Sequence, residues 1–235
     1  MNKIYALIPA RSGSKSIKDK NILKLGTKSL LEWSIDICKK SDLIDRVFVS
    51  TDSIKYKNIS LKAGAEVPYL RPKKISGDKS IDYDFVRHFI DFFKTKKELP
   101  TLILHIRPTT PLRSVEIIER AIKAFDNKKF SSLRSVHEMS ESAYKMMEIN
   151  KKGFLDPIAK NKNVRDISNN PRQNFPKTYV PNGYIDILST KFIMKNKLLH
   201  GEKIMPFITP FVQEVDNMSD FEYLKYMLKN GKKNV

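Results

Sequence analysis

The chain has 235 residues, with 44 Lys and Arg against 26 Asp and Glu, and a formal charge of +18. A balance this basic suits anionic ligands, whereas a single cysteine, Cys38, excludes an internal disulfide and no run approaches the ~20 apolar residues of a membrane span. The length is that of one large domain, and Met1-Asn2-Lys3 leads straight into a strand pattern, which predicts a cytoplasmic protein without a signal peptide.

Lys3-Ile-Tyr-Ala-Leu-Ile8 reads as a buried strand. The loop after it, Ile8 to Ile22, carries Arg11, Lys15, Lys18 and Lys20, with Ser12-Gly13-Ser14 small enough for backbone N–H groups and hydroxyls to approach an anion. With only Gly13 the loop is not a dinucleotide fingerprint, and with Ser14 before Lys15 it is not an ATPase P-loop. Ser29-Leu-Leu-Glu32 is a capping box for a helix whose buried side holds Leu30, Leu31, Ser34 and Ile35. Arg46-Val-Phe-Val-Ser50 predicts a second strand, and Thr51, Asp52 and Ser53 end it and cap the next helix, which accounts for Asp52. Glu66 to Leu70 reads as a third strand. Ser80 is placed as the cap of a long helix with Ile81, Phe85, Val86, Phe89, Ile90 and Phe93 as its core stripe, and His88 is half-buried on it.

Thr101 to Ile106 predicts a central strand that delivers Arg107-Pro-Thr109-Thr-Pro111 at its end, with Ser114 opening another helix and Ser131 to Val136 a further strand. The pattern breaks from about 138 to 181. Tyr144 to Ile149 could be a strand, but Lys151 to Lys177 is too basic and polar for a simple loop, so it is either disordered or ordered from outside the subunit. Gly183 to Leu188 and Phe211 to Val215 are predicted strands. Ser219-x-x-Glu222 is read as the capping box of a terminal helix, and Lys229 to Val235 as a frayed tail. Short apolar runs alternating with helical periods argue for an α/β fold with a mostly parallel sheet. Glu214 and Asp216, two apart on a strand, would share a face and could ligate Mg²⁺, or form a solvated acidic pair. The four histidines show no metal-ligand spacing with Cys38.

Ala10-Arg11-x-Gly13-Ser14-Lys15 followed by Lys20-Asn21 resembles the signature of the acylneuraminate cytidylyltransferases, the CMP-sialic acid synthetase family. Further matches come in the family's order: Val49-Ser-Thr-Asp52, Gly64-Ala-Glu-Val-Pro68 with Arg71-Pro72, Pro108 to Arg113, Pro181-Asn182-Gly183 and Asp216. The resemblance implies a three-layer sandwich of the nucleotide-diphospho-sugar transferase type, forming one domain over 1–235. It also implies a homodimer made through an extension at 138–181. Arg11, Ser12, Gly13, Ser14, Lys15, Lys20, Asn21 and Arg71 would contact the nucleotide, and Arg107, Thr109 and Asn182 the acceptor. Arg11, Lys20 and Asp216 would be catalytic, and Mg²⁺ would sit on Asp216 with Glu214, a Glu where the family has Asp. The implied reaction joins CTP and a nonulosonic sugar acid into a CMP-sugar and pyrophosphate. Arg107 departs from the family, which has Gln there. Five donors and a fixed charge predict an anionic or otherwise unusual acceptor, or else a pairing of Arg107 with Glu214 or Asp216. Two alternatives stay open: the same fold with another NTP or a sugar phosphate, and a nucleic-acid-binding protein motivated by the charge. The second requires stacking aromatics on a basic face, and the aromatics here fall in core patterns.

Overall fold

The computed structural model describes residues 3–159 and 167–231. In chain order its regular elements are β1 (Ile4–Pro9), β2 (Lys24–Leu25), β3 (Lys28–Ser29), α1 (Leu30–Lys39), β4 (Arg46–Ser50), α2 (Ile54–Lys62), α3 (Asp82–Thr95), β5 (Leu102–His105), α4 (Val115–Ala124), β6 (Ser132–Glu138), β7 (Met147–Ile149), β8 (Leu155–Pro157), β9 (Tyr179–Ser189), α5 (Thr190–Asn196), β10 (Ile204–Ile208) and α6 (Met218–Lys229). The main sheet runs β10-β6-β9-β5-β1-β4, parallel except for β9, which is antiparallel to both β5 and β6. Parallel strands covered on both faces need near-continuous apolar runs. Accordingly β1 is buried along Ile4 to Ile8 and β5 along its whole length.

Alternate residues of the strands feed two cores. Ile4, Ala6 and Ile8 of β1 pack with Leu31, Ile35 and Cys38 of α1 and with Ile118, Ala121 and Ile122 of α4. Tyr5 and Leu7 face the other way, onto Phe85, Val86, Phe89, Ile90 and Phe93 of α3 and Ile193 of α5. The result is helix, sheet, helix, the three-layer sandwich. The α1 start is the anticipated box: the Ser29 hydroxyl accepts from Glu32 N at 3.2 Å, and the Glu32 carboxylate accepts from Ser29 N at 2.7 Å. Among the described residues no helix is long and apolar enough to cross a membrane.

Several boundaries differ from the sequence reading. Glu66 makes a single parallel bridge to Phe48 and no third strand forms beyond it, because Pro68 lacks the N–H that would extend the ladder. Phe211 to Val215 is not a strand. The last strand is β10, at the sheet edge, where Pro206 is tolerated. Asn217 and Asp220, not Ser219 and Glu222, form the box that opens α6. Ser80 does not cap α3. Ile81 N donates to Asp84 Oδ2 at 3.1 Å, and the Ile81 side chain, 62% exposed, is outside the core stripe. The irregular region holds a β7–β8 hairpin and a Tyr144–Phe175 stack at 5.7 Å, and Arg172 and Lys177 both pair with Glu138. These parts of Lys151 to Lys177 are therefore held by their own chain. Residues 160–166 of that stretch and 232–235 of the predicted frayed tail lie outside the described residues.

Candidate active site

The chain runs from β1 to β4 on one side and returns to β5 on the other. Ligands of open α/β sheets bind where the order reverses in this way, at the carboxyl ends of the strands. There a cleft of about 500 Å³ is lined by the loop after β1, by Arg71, by the segment before α3 and by the residues after β5. Among its lining residues five cations, Arg11, Lys15, Lys20, Arg71 and Arg107, face two carboxylates, Asp78 and Asp82.

The loop is braced from beneath. Ser12 donates from both N and Oγ to Asp52, each at 2.7 Å, and Asn21 Nδ2 donates to Arg11 O at 3.0 Å. Asp52 is thus not the helix cap the sequence suggested. Ser53 Oγ caps α2, accepting from Tyr56 N at 3.3 Å, and Asp52 fixes the loop. Gly13 has φ +70° and Asp19 φ 56°. Tyr56 and then Lys55 bond the Asp19 carboxyl and hold it below the ordinary carboxylate range.

Each cation has its own setting. Arg11 and Lys15 grip Asp78 at 2.9 and 2.7 Å. Lys20, only 13% exposed, donates to Val215 O at 2.8 Å and lies 3.7 Å from Asp216. It thereby ties the β1 loop to the strandless segment before α6. Arg71 is buried, donates to Ser50 Oγ at 3.0 Å and Ser50 O at 2.6 Å, and lies over Phe85 at 4.8 Å. Burial pushes its pKa down to about 10, which still leaves it charged at neutral pH.

Arg107 pairs with Asp186 and Asp82, each at 3.0 Å, and not with Glu214 or Asp216. Burial opposes the charge of Asp82, but His105, once protonated in acid, and Arg107 outweigh it and hold its carboxyl below the ordinary range. His105, beneath both carboxylates, is pushed down to about 4 by burial and then by Arg107. Arg113 bonds the carbonyls of Tyr184, Arg107 and Gly183, locking the turn after β5 against β9. Thr109 Oγ1 donates to Glu214 Oε1 at 2.7 Å. Asn182 does not line the cleft. Its amide donates to Thr209 Oγ1 at 2.6 Å and accepts from Tyr184 N at 3.3 Å.

Glu214 and Asp216 do not share a strand face, since their segment is not a strand. Among the described residues no group of three or more His, Cys, Asp or Glu is set to hold a metal. Asp216, 77% exposed, lies 3.7 Å from Lys20, a residue that lines the cleft. Mg²⁺ keeps several waters and takes one or two carboxylates together with substrate phosphates, so Asp216 is the carboxylate that would hold it if the ion enters with a substrate.

Asp78, Asp82 and Asp186 were not singled out from the sequence, and the cleft residues Ser80, Ile81 and Phe85 were read there only as a helix cap and core. Only Asp186 left a signal, as the one charge in the apolar run Tyr184-Ile-Asp-Ile-Leu188.

The fold and cleft define an α/β protein with a cation-lined cleft at a strand switch point. The chain belongs to the cytidylyltransferase family, whose profile matches residues 5–152. It is 29% identical over 224 residues to an N-acylneuraminate cytidylyltransferase of Streptococcus agalactiae serotype III (strain NEM316), covering 93% of this chain and 52% of that one, so it spans about half the length of this relative. It is 25% identical to a pseudaminic acid cytidylyltransferase of Campylobacter jejuni subsp. jejuni serotype O:2, covering 97% of each. A solved CMP:2-keto-3-deoxy-manno-octonic acid synthetase, in complex with CTP, superposes with a TM-score of 0.71 at 14% identity, covering 97% of this chain and 99% of that one.

Proposed function

We propose that the protein transfers a cytidylyl group from CTP to the hydroxyl of a nonulosonic sugar acid, giving a CMP-sugar and pyrophosphate, and does so in the cytoplasm. The observation that carries this reading is the set of five cations lining a cleft of nucleotide size at the strand switch point. The relatives' names supply CTP and the sugar-acid class.

In this reading the acceptor oxygen bonds to the α-phosphorus, the bond from that phosphorus to the β-bridging oxygen breaks, pyrophosphate takes the electron pair and the hydroxyl proton is lost to solvent. Little covalent work is left to the protein, whose part is to position groups and to neutralise charge. Arg11 supplies a fixed fork to the phosphates, and Lys15 a mobile point charge. Lys20, anchored on Val215, is preorganised for charge that grows on the departing pyrophosphate. Asp216, with Glu214 beside it, would hold Mg²⁺, which would neutralise phosphate charge. Phosphate oxygens compete with Asp78 for Arg11 and Lys15.

The sequence-based idea that Arg107 awaits an anionic acceptor loses its motive, because two carboxylates already take its charge. A homodimer is part of the proposal. Ile149, Phe154, Leu155 and Ile158 stand exposed on and beside the β7–β8 hairpin, an apolar set that a second copy would cover.

The test is pyrophosphate release measured with each of the four NTPs against a panel of sugar acids and sugar phosphates. The expected result is turnover with CTP and a nonulosonic acid. Turnover confined to another NTP, or to a sugar phosphate, would replace this reading.

A further inference from the structure

Arg107 stands where it could have served as a bare positive charge, yet its surroundings cancel it. One terminal nitrogen donates to Asp186, buried in β9, and the other to Oδ2 of Asp82 in the first turn of α3. Arg134 lies 3.6 Å from Asp186, so two guanidiniums meet two carboxylates, with His105 neutral beneath them at pH 7. Only part of this cluster reaches the cleft. Asp82, its side chain 45% exposed, and Arg107 both line the wall, while Asp186 does not. Arg107 uses its two terminal nitrogens on Asp186 Oδ2 and Asp82 Oδ2. The wall therefore presents a carboxylate and a guanidinium that are already paired, with little net charge, next to the exposed apolar side chain of Ile81. A free guanidinium would favour a carboxylate or phosphate. A guanidinium already held by two carboxylates repels neither sign strongly and rewards a group that both donates and accepts.

We propose that Asp82 and Arg107 act together as a specificity pair for an uncharged, hydrogen-bonding substituent of the acceptor, and that Asp186 is the buried positioning residue that holds Arg107 for this task. The proposal rests on the sugar-acid reading above. It gives this chain a selection rule in which the balance of charge at one wall, rather than a single residue, decides which acceptors enter.

The experiment uses the full chain, CTP and three forms of one amino-bearing nonulosonic acid: N-acetyl (uncharged), free amine (cationic) and N-succinyl (anionic). Wild type should favour the N-acetyl form. Asp82→Asn uncovers the guanidinium and should move kcat/KM toward the N-succinyl form by roughly 10-fold or more. Arg107→Gln uncovers the carboxylates and should move it by a similar factor toward the free amine. Asp186→Asn should raise the acceptor KM and leave the nucleotide KM unchanged, and Asp186→Glu should restore part of the loss. Circular dichroism of each variant separates misfolding from altered selection, and Arg107→Lys keeps the charge should Arg107→Gln fail to fold. Calorimetric titration of the same three acceptors reads the wall without turnover. Charge-ordered binding without pyrophosphate release keeps the pair and removes the proposed reaction. Turnover in which all three acceptors change by one common factor in every variant removes the pair and keeps the reaction. Absence of both binding and turnover with any of the three overturns both.

Discussion

Lys20 shows how far a single side chain can join two parts of the site. Its ammonium reaches Val215 O and Asp216 while its Cα belongs to the β1 loop. Lys20→Ala should lower kcat by roughly 10²-fold or more, as loss of a preorganised charge does. It should also loosen the segment before α6, which amide hydrogen exchange of residues 213–217 would register. Near-normal turnover would remove Lys20 from the mechanism. Asp78 is the opposite case, a carboxylate seated on the two cations that the proposed reaction assigns to the nucleotide. Asp78→Asn weakens that competition and should lower the nucleotide KM several-fold with the acceptor KM unchanged, measured by steady-state kinetics with each substrate varied in turn. A raised nucleotide KM would show instead that Asp78 orients Arg11 and Lys15 productively.

Arg11, Lys15 and Lys20 were legible in the sequence because they sit together on one serine-rich loop after an apolar strand, whereas Arg71 and Arg107 lie on other segments and were singled out through the family resemblance. The carboxylates were not, because Asp52, Asp82 and Asp186 meet their partners across about 40, 25 and 79 residues of chain, a distance no local pattern encodes.

At the scale of elements, the site is held by the turns and loops at the strand ends. The β6–β9 register shifts between Arg134 and Val136, and Gly183 in β9 adopts φ +64°. A Cβ there would stand 3.1 Å from Thr110 Oγ1 and 3.4 Å from Glu214 Oε1. Gly183→Ala should cost about 1–2 kcal/mol from the left-handed backbone alone. It should also disturb the Thr109–Glu214 bond, read as a lower Tm together with a loss of activity larger than the change in folded fraction. An unchanged Tm would mean that the turn relaxes freely. The helices α1 and α3 were readable from their 3.6-residue stripes, and the Ser29–Glu32 box fixed the α1 start. Strands near proline were misread in both directions: Pro68 stops a ladder that Val67 invites, whereas Pro206 sits within an edge strand that needs fewer donors. The exposure of Ile81 could not be read from spacing, since the residue falls in phase with the buried stripe but one position before the helix begins.

For the whole molecule, buried neutral imidazoles predict an acid-sensitive fold. His105 is pushed down to about 4, and His200, His88 and His137 are lowered in the same direction, all by burial first. The unfolded chain takes up these protons as pH falls through about 6.5, whereas folded His105 does not until about 4. The stability that His105 contributes is therefore fully present above 6.5 and lost progressively down to 4. Urea midpoints should fall over that window, and less so in His105→Gln if that variant folds. A flat profile would contradict the assignment. The apolar hairpin at 147–157 predicts a dimer by sedimentation at micromolar concentration, and a fully active monomer would remove that part of the account. The central claim is that the cationic cleft joins a nucleotide to a sugar acid. Phosphorus NMR of the protein with CTP, Mg²⁺ and a nonulosonic acid tests it most directly. The account predicts one new phosphodiester resonance and inorganic pyrophosphate in equal amounts. Orthophosphate and CDP alone, or an unchanged CTP spectrum with every nonulosonic acid tried, would contradict it.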